Sequence, residues 1–491
     1  MNAADALFAR LRDPTTQQRL EVAALVVALA LSLVVAALGT SLDVWRHDSL
    51  YYHPFGAKAW ISGRWLTYLL SFPLLFLPGG PLWLAGFLLF GGFAFLVARG
   101  FGQDSRGSLL FALLAAQIPC LYGLSLWPVG NLPMPLLLFA AGLAARRLSM
   151  WPFYLLFGVL FLGVTQQYYF LLPALHLPEV LASRRGPLRA TVRLLAAWVT
   201  GFLVGYLVVL VYVYLASGHV GMQVPTWRDP HYVTDLASLL ANIATSGSWL
   251  LQHLGAAGQL TLGGLTLLAM VVTGAWGTRR SDIAVRVVVF GAMGLALYAV
   301  MVPIGVTIHF RSATPVFFAL LCFAFLGWSG GRHRGLYPIG VLLVLVPFGF
   351  TNLENLLWYR TVTGEYQSRL REVMPKPPEA YEGVVLLQGN ARALQARIER
   401  ESGRRARFIV SELSDDRGIE KRWKPSGLAM GFQRVRYCLN EHCRSIPRTC
   451  LAGNADYCVH GETPDRYLLI SFVMPSRRDR PRDPNDIVDP P

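Results

Sequence analysis

The residues best suited to chemistry lie between positions 41 and 65, a segment that we call the first loop. It holds two carboxylates, two histidines and three cations: Asp43, Asp48, His47, His53, Arg46, Lys58 and Arg64. A carboxylate acts as a general base when it lies within hydrogen-bond reach of the proton that it removes. If the protein is an enzyme, we therefore expect base chemistry in the first loop, by Asp43 or Asp48.

A loop at a membrane surface explains part of this composition without any function. Tryptophan and tyrosine concentrate at membrane–water interfaces, which accounts for the aromatic residues Trp45, Tyr51, Tyr52, Trp60 and Trp65. It does not account for two acids five residues apart that are followed by Gly63 and Arg64. Before the C-terminal region, the other acids predicted on the same side of the membrane are Asp229 and Asp235, so the base is one of four residues.

The composition of the chain excludes an ordinary soluble enzyme. Of its 491 residues, 54% are hydrophobic and 15% are charged, whereas soluble domains carry about 25% charged residues. The net charge of +15 is unevenly distributed, since 21 of the 44 basic residues but only 10 of the 29 acids precede Thr351. A basic, apolar first part and a polar remainder indicate a membrane protein with a soluble appendix, and argue against nucleic-acid binding.

Apolar windows predict an all-α polytopic membrane protein with about eleven transmembrane helices. The uncharged stretch from Val22 to Leu42 is long enough to cross roughly 30 Å of hydrocarbon and too long for the core of a cleaved signal peptide. The predicted spans are residues 21–41, 81–98, 108–126, 132–145, 151–165, 168–182, 194–216, 258–276, 287–306, 313–329 and 336–351. The short stretch Trp65–Leu77 is interpreted as a re-entrant or interfacial helix, with a twelfth span as the alternative.

The arginines predict the orientation of these spans. With the N-terminus in the cytoplasm, the inner loops contain sixteen arginines and the outer loops only five basic residues, which is a clear positive-inside bias. An odd number of spans then places the region after Thr351 outside. The first loop, Asp229 and Asp235 also fall on this outer side, and the segment around residues 217–257 is expected to be the longest outer loop.

The six cysteines give a second indication of compartment. Cys120 and Cys322 lie in apolar spans and are interpreted as small buried hydrophobic residues. The other four are Cys438, Cys443, Cys450 and Cys458. Their spacing lacks the paired arrangement that is typical of zinc ligands, so we favour two disulfides of open connectivity over a zinc site. Disulfides would require an oxidising compartment, which agrees with the predicted position of the C-terminal region outside the cytoplasm.

The C-terminal region is predicted to be a small α/β domain held by disulfides. Residues 1–351 would form the transmembrane domain, residues 352–474 the periplasmic domain and residues 475–491 a disordered tail. Strands are expected at Gly383–Leu387, Arg407–Leu413 and Tyr467–Val473, and an amphipathic helix at Ala391–Glu401. The region contains no glycine-rich nucleotide loop and no nucleophile motif.

The first loop resembles that of the serotype-converting O-antigen glucosyltransferases, bacterial polytopic enzymes similar in architecture to C-type glycosyltransferases. The resemblance lies in Arg46-His47-Asp48 and in Trp60 through Gly63-Arg64-Trp65. Gln166-Gln167-Tyr168 at an outer helix end and Arg311 at the start of a late span are similar to further family elements. One departure is that His47-Asp48 stands where adjacent acids are expected, with the second acid at Asp43.

The resemblance implies transfer of a hexose, with glucose as first choice, from a polyprenyl-phosphate donor to an extracytoplasmic glycan such as O-antigen, with inversion. Asp48 is the first choice for the base and Asp43 the second. Donor phosphate binding is assigned to Arg311, Arg64 and Lys58, since guanidinium groups bind phosphate in a bidentate manner. Substrate contacts are assigned to His47, His53, Gln166, Gln167, Tyr168, Trp227 and Asp229.

The implied partners are the lipid-linked donor, the glycan acceptor, the bilayer of the bacterial inner membrane, a flippase and a polyprenyl-phosphate glucose synthase. No cofactor is expected, and a divalent cation near His47, Asp48 and His53 is left open. The main alternative function is a transporter or flippase of a lipid-linked saccharide, which would need polar residues at mid-membrane. A third is a scaffold that presents the C-terminal domain to a partner.

Overall fold

The structure is a computed structural model that describes residues 13–41, 63–121, 128–183, 186–221, 224, 229–260, 280–326, 337–387, 391–404, 430–437 and 449–473. The chain divides into two compact units, with the boundary between Leu353 and Glu354. In the described residues the first unit is helical, and the second contains the sheet.

The first unit is a bundle of helices joined by short connections. In chain order they are α1 (Pro14–Ser41), α2 (Trp65–Ser71), α3 (Gly79–Gly100), α4 (Ser105–Ala116), α5 (Pro128–Asn131), α6 (Pro133–Ala144), α7 (Met150–Leu162), α8 (Pro173–Leu181), α9 (Pro187–Ser217), α10 (Leu236–Leu260), α11 (Arg280–Met301), α12 (Thr314–Phe325) and the first part of α13 (Tyr337–Val373). Short 3-10 helices occupy Pro73–Phe76, Gln166–Leu171 and Phe310–Ser312.

Local sequence signals explain where several helices begin and end. Asp104 caps α4, because its carboxylate accepts a hydrogen bond from the backbone N–H of Gly107 at 2.7 Å. Proline, which lacks the N–H that a first turn leaves unpaired, opens α6, α8 and α9. Gly218 ends α9 with φ at 71°, a left-handed conformation that favours glycine.

Within the described residues, five helices are long and apolar enough to cross a membrane: α1, α3, α9, α11 and α13. Helices α4, α6, α7 and α12 are apolar but shorter. The predicted span 168–182 is divided between the 3-10 helix Gln166–Leu171 and α8, and the predicted span 258–276 lies mostly outside the described residues. These helices suggest a membrane protein, and the number eleven stays a prediction.

The prediction of a long outer loop around residues 217–257 is wrong over much of that segment. Residues Leu236–Leu260 form the 25-residue helix α10, although the sequence analysis assigned most of them to a loop. The helix contains no charged residue but is rich in alanine, serine and glycine, and it is less apolar than the helices that could cross a membrane. The stretch Trp65–Leu77, by contrast, does contain a short helix, α2.

Glycine gives α7 and α9 their close contact. A Cβ atom at Gly158 would lie 2.1 Å from the carbonyl oxygen of Gly201, and one at Gly205 would lie 2.4 Å from that of Gly158. Gly201 and Gly205 form a G-x-x-x-G pattern, which allows helix backbones to approach within van der Waals distance. Association of these helices thus depends on backbone contact that larger residues would prevent.

The second unit contains a five-stranded sheet with spatial order β2-β1-β5-β4-β3. Its strands are β1 (Gly383–Leu386), β2 (Arg434–Tyr437), β3 (Ala452–Gly453), β4 (Tyr457–Glu462) and β5 (Tyr467–Phe472), with α14 (Ala391–Ser402) between β1 and β2. Strand β1 pairs in parallel with β2 and β5, whereas β4 is antiparallel to β3 and β5. The Cα partners Val384, Val435 and Leu468 mark the register across β2, β1 and β5.

The predicted α/β character of the second unit is confirmed. Strands β1 and β5 and helix α14 match the predicted elements to within a residue. The predicted strand Arg407–Leu413 and the tail 475–491 lie outside the described residues. The sequence analysis missed β2, β3 and β4.

Candidate functional site

Apart from Arg64, the first-loop residues that were assigned catalytic or binding roles lie outside the described residues. They are Asp43, His47, Asp48, His53 and Lys58, and Trp227 is also outside. The structure does describe the two points between which the loop runs, Ser41 at the end of α1 and Gly63 just before α2. The elements around these points define one end of the bundle, which we call the candidate end.

Arg64 lies at this end, at the start of α2. Its side chain is exposed. The first turn of α2 is held against the end of α7, because the backbone N–H groups of Leu66 and Thr67 donate to the carbonyl oxygen of Gly163 at 3.0 and 3.2 Å. The hydroxyl of Thr67 also donates to the carbonyl oxygen of Val164 at 3.1 Å. Arg64 therefore stands beside the chain segment that leads directly into Gln166.

The 3-10 helix Gln166–Leu171 connects this region to the start of α12. Gln166 is half-buried, whereas Gln167 and Tyr168 are buried. The 3-10 helix packs against α12, whose first residue is Thr314. Since Thr314 follows Arg311 by three residues, the structure brings together two elements that the sequence could only assign separately.

Arg311 lies half-buried on the 3-10 helix Phe310–Ser312. Its neighbour Phe310 packs edge-on against the rings of His253 and Phe317, with centroid distances of 5.9 and 5.7 Å. These ring contacts fix the segment that carries the guanidinium to α10 on one side and to α12 on the other.

The acids of the second predicted loop have different environments. Asp229 is exposed and has φ at 48°, and its Oδ2 lies 3.2 Å from Nε2 of His231. Asp235 caps α10, because its carboxylate accepts a hydrogen bond from the backbone N–H of Ser238 at 2.7 Å. Hydrogen bonds from the backbone and hydroxyl of Ser238 lower the pKa of Asp235, which makes this carboxylate a weaker base than an ordinary aspartate.

The structure adds a buried pair that the sequence analysis did not single out. Nδ1 of His253 lies 2.6 Å from the hydroxyl of Tyr298, and both residues are buried. His253 was not considered as a buried residue because the sequence analysis assigned position 253 to an outer loop. Asn242 on the same helix donates to the carbonyl oxygens of His231 and Val302, at 2.6 and 3.0 Å, which ties α10 to the end of α11.

The opposite end of the first unit is basic. Arg99 donates from Nη1 to the carbonyl oxygen of Gln103 at 2.7 Å. The guanidinium of Arg286 lies 6.0 Å from the centre of the Phe101 ring, and Tyr337 donates to the carbonyl oxygen of Gly107 at 2.9 Å. These residues belong to the end that the sequence analysis assigned to the cytoplasm, and the orientation stays a prediction.

The cysteine prediction is confirmed where the structure describes it. Cys450 and Cys458 form a disulfide that joins β4 to the residue ahead of β3. Cys120 and Cys322 are free and buried. Cys438 and Cys443 lie outside the described residues, so their pairing stays a prediction.

Among the described residues, no group of three or more His, Cys, Asp or Glu side chains is arranged to hold a metal ion. No protein-family model, curated protein or solved structure matches this chain. The functional assignment thus depends on the sequence pattern and on the geometry of the candidate end.

Proposed function

We propose that the protein is an integral-membrane glycosyltransferase of the bacterial inner membrane. It transfers a hexose, with glucose as first choice, from a polyprenyl-phosphate donor to an extracytoplasmic glycan such as O-antigen. The N-terminus is cytoplasmic and the second unit periplasmic. The disulfide Cys450–Cys458 and the basic character of the end opposite the candidate end support this orientation.

One observation carries the proposal. Residues that follow Arg64 bond to the segment that leads into Gln166, and the 3-10 helix Gln166–Leu171 packs against α12, which begins three residues after Arg311. Inverting transfer from a lipid phosphate needs a base that activates the acceptor hydroxyl and cations that stabilise the leaving phosphate.

In the proposed mechanism, Asp48 removes the proton of the acceptor hydroxyl as the oxygen attacks the anomeric carbon. Asp43 is the second choice for this role. General-base catalysis of this kind contributes about 10²–10⁴-fold. Arg311 and Arg64, helped by Lys58, stabilise the negative charge of the departing lipid phosphate, while His47, His53 and Gln166–Tyr168 contact the substrates.

The test is sugar transfer by the full chain in nanodiscs, with polyprenyl-phosphate glucose as donor and lipopolysaccharide as acceptor. Asp48→Asn should reduce transfer by about 10²-fold or more, because the amide cannot accept the proton. The matched control is Asp282→Asn in the first turn of α11, away from the candidate end, which should retain activity. Activity that survives in both Asp48→Asn and Asp43→Asn would contradict a first-loop base.

Arg311 allows a second, independent test. Arg311→Lys keeps a positive charge but loses the bidentate geometry, whereas Arg311→Gln loses both. We expect the wild type to be the most active, the lysine variant less active and the glutamine variant the least active. The substitutions should change kcat more than KM, because the phosphate charge develops during transfer. Equal activity of all three proteins would remove Arg311 from the mechanism.

A transporter of lipid-linked saccharides is the second candidate, and one observation favours it. Ser32, Gln117 and Asn352 are buried within the bundle, and Asn352 donates to the backbone and side-chain oxygens of Gln117 at 2.9 and 3.0 Å. All three side chains are neutral and hydrogen-bonded to one another, which equally suits helix packing. Movement of a lipid-linked sugar across proteoliposomes without transfer to an acceptor would favour the transporter.

A further inference from the structure

Helix α10 presents three chemically different faces. Its buried face carries polar residues, since Asn242, Ser246 and His253 are each only 4% exposed. A second face is a row of exposed aliphatic residues: Leu236, Leu240, Ile243, Leu251 and Leu254. A third face, also exposed, carries Thr245, Ser248 and Gln252. A helix at the surface of a soluble protein has the reverse arrangement, with its apolar face buried.

The buried face holds α10 to its neighbours by polar contacts. Asn242 donates to the carbonyl oxygen of Val302, and His253 pairs with the hydroxyl of Tyr298. These hydrogen bonds satisfy the buried polar groups, as burial requires. The leucines take no part in these contacts. Leu236 and Leu251, for example, are each 69% exposed. The apolar row therefore needs an apolar environment that the described residues of the bundle do not supply.

The contacts also fix how α10 is inclined to α11. Asn242 and His253 are eleven residues apart, about 16 Å along a helix, whereas their partners Val302 and Tyr298 are four residues apart, about 6 Å. Parallel or antiparallel axes would make these two separations equal, so the difference between them favours inclined axes. Because α11 is able to cross a membrane, an inclined α10 lies nearer than α11 to the plane of that membrane.

We propose that α10 lies in the membrane interface, with its row of leucines in the lipid hydrocarbon and its Thr245–Ser248–Gln252 face toward water. Lipid is the occupant that the chemistry favours, because the 25-residue helix contains no charged residue to form the polar rim of a protein interface. The neighbouring α11 also exposes aliphatic residues, Val287, Val288 and Leu295, so the apolar surface continues onto a helix able to cross the membrane. The inference does not depend on the proposed transferase activity.

The test attaches an environment-sensitive fluorophore to cysteines introduced on the two exposed faces of the full chain. Leu240→Cys and Leu251→Cys report the leucine face, and Ser248→Cys and Gln252→Cys provide matched controls on the same helix. The variants are reconstituted in vesicles of phosphatidylethanolamine and phosphatidylglycerol, and the unmodified chain gives the background from native cysteines. Quenching is then compared between doxyl-labelled lipid and aqueous iodide.

We expect several-fold stronger quenching by doxyl lipid at positions 240 and 251, at equal depth, and stronger quenching by iodide at 248 and 252. A transmembrane α10 would instead place 240 and 251 at different depths, about 16 Å apart along the axis. Iodide quenching at all four positions would show that water covers both faces. Protection of 240 and 251 from both quenchers would show that protein covers the leucines. Each of these three results overturns the proposal.

Discussion

Arg369 and Asp456 form an ion pair in the second unit, with Nη1 of the arginine 2.7 Å from Oδ2 of the aspartate. Arg397 reaches the other carboxylate oxygen, Oδ1, at 2.8 Å. Asn454 donates to the backbone carbonyl oxygen of Arg369 at 2.8 Å. A single carboxylate, 7% exposed, thus joins α13, α14 and the turn between β3 and β4.

Replacement of Asp456 by asparagine should destabilise the second unit. Both guanidinium groups would then face a neutral amide, and charged hydrogen bonds in partly buried surroundings contribute about 1–3 kcal/mol. We expect a lower Tm for Asp456→Asn in thermal unfolding of the full chain in detergent. The control is Glu462→Gln, which breaks the pair with Lys376, whose side chain is 55% exposed. An equal change in Tm for the two variants would contradict the special role of Asp456.

Glu401 makes the stability of this region depend on pH. The hydrogen bond from Arg369 lowers the pKa of Glu401 below its ordinary value of 4.5. A carboxylate whose pKa is lower in the folded than in the unfolded state stabilises the fold above the unfolded value, and this contribution is lost as the pH falls through the folded value. Wild type should therefore exceed Glu401→Gln in Tm at about pH 7, and the difference should shrink as the pH falls below about 4.5. A difference that persists at low pH would exclude this linkage.

The sequence predicted those elements whose burial is uniform. Strands β1 and β5 are runs of apolar residues, and α14 has a strongly amphipathic pattern. Strand β4 contains Tyr457 and Val459 at its buried end and His460 and Glu462 at its more exposed end. This mixed pattern is not typical of a buried strand, so β4 was not predicted. Cysteine spacing predicted disulfides but not the pairing of Cys450 with Cys458, which depends on the sheet.

Helix α10 shows why part of the candidate end was not predictable. Its leucines are exposed and its polar residues buried, so an analysis that seeks apolar cores misassigns it. Arg311 and Tyr168 were each identified from the sequence, but the packing of the 3-10 helix Gln166–Leu171 against α12, which follows Arg311, was not predictable from it. Sequence patterns give residue types and local structure, whereas contacts between distant segments require the fold.

Gly158→Ala should weaken the packing of α7 on α9. The new Cβ atom would lie 2.1 Å from the carbonyl oxygen of Gly201, so the two backbones would have to separate. Overpacking of this kind costs about 1–3 kcal/mol. We expect a clearly lower Tm and a smaller monodisperse fraction on size-exclusion chromatography in detergent.

Gly291→Ala in α11 is the matched control for this substitution. A Cβ atom at Gly291 meets nothing within 4 Å, so the change adds only helix propensity. Alanine is favoured over glycine in a helix interior by about 1 kcal/mol, and Tm should stay constant or rise. Similar losses for the two alanine variants would show that the α7–α9 contact is not specific to glycine.

The disulfide Cys450–Cys458 closes the loop that presents Asn454 and Asp456 to Arg369. Closure of a loop with a sequence separation of 8 lowers the entropy of the unfolded chain, which stabilises the fold by about 2–3 kcal/mol. The double variant Cys450→Ser/Cys458→Ser should therefore have a lower Tm. Because a looser loop holds the carboxylate less well, Asp456→Asn should cost less in this variant than in the parent chain. Fully additive effects in this double-mutant cycle would mean that the disulfide and the ion pair stabilise the second unit independently.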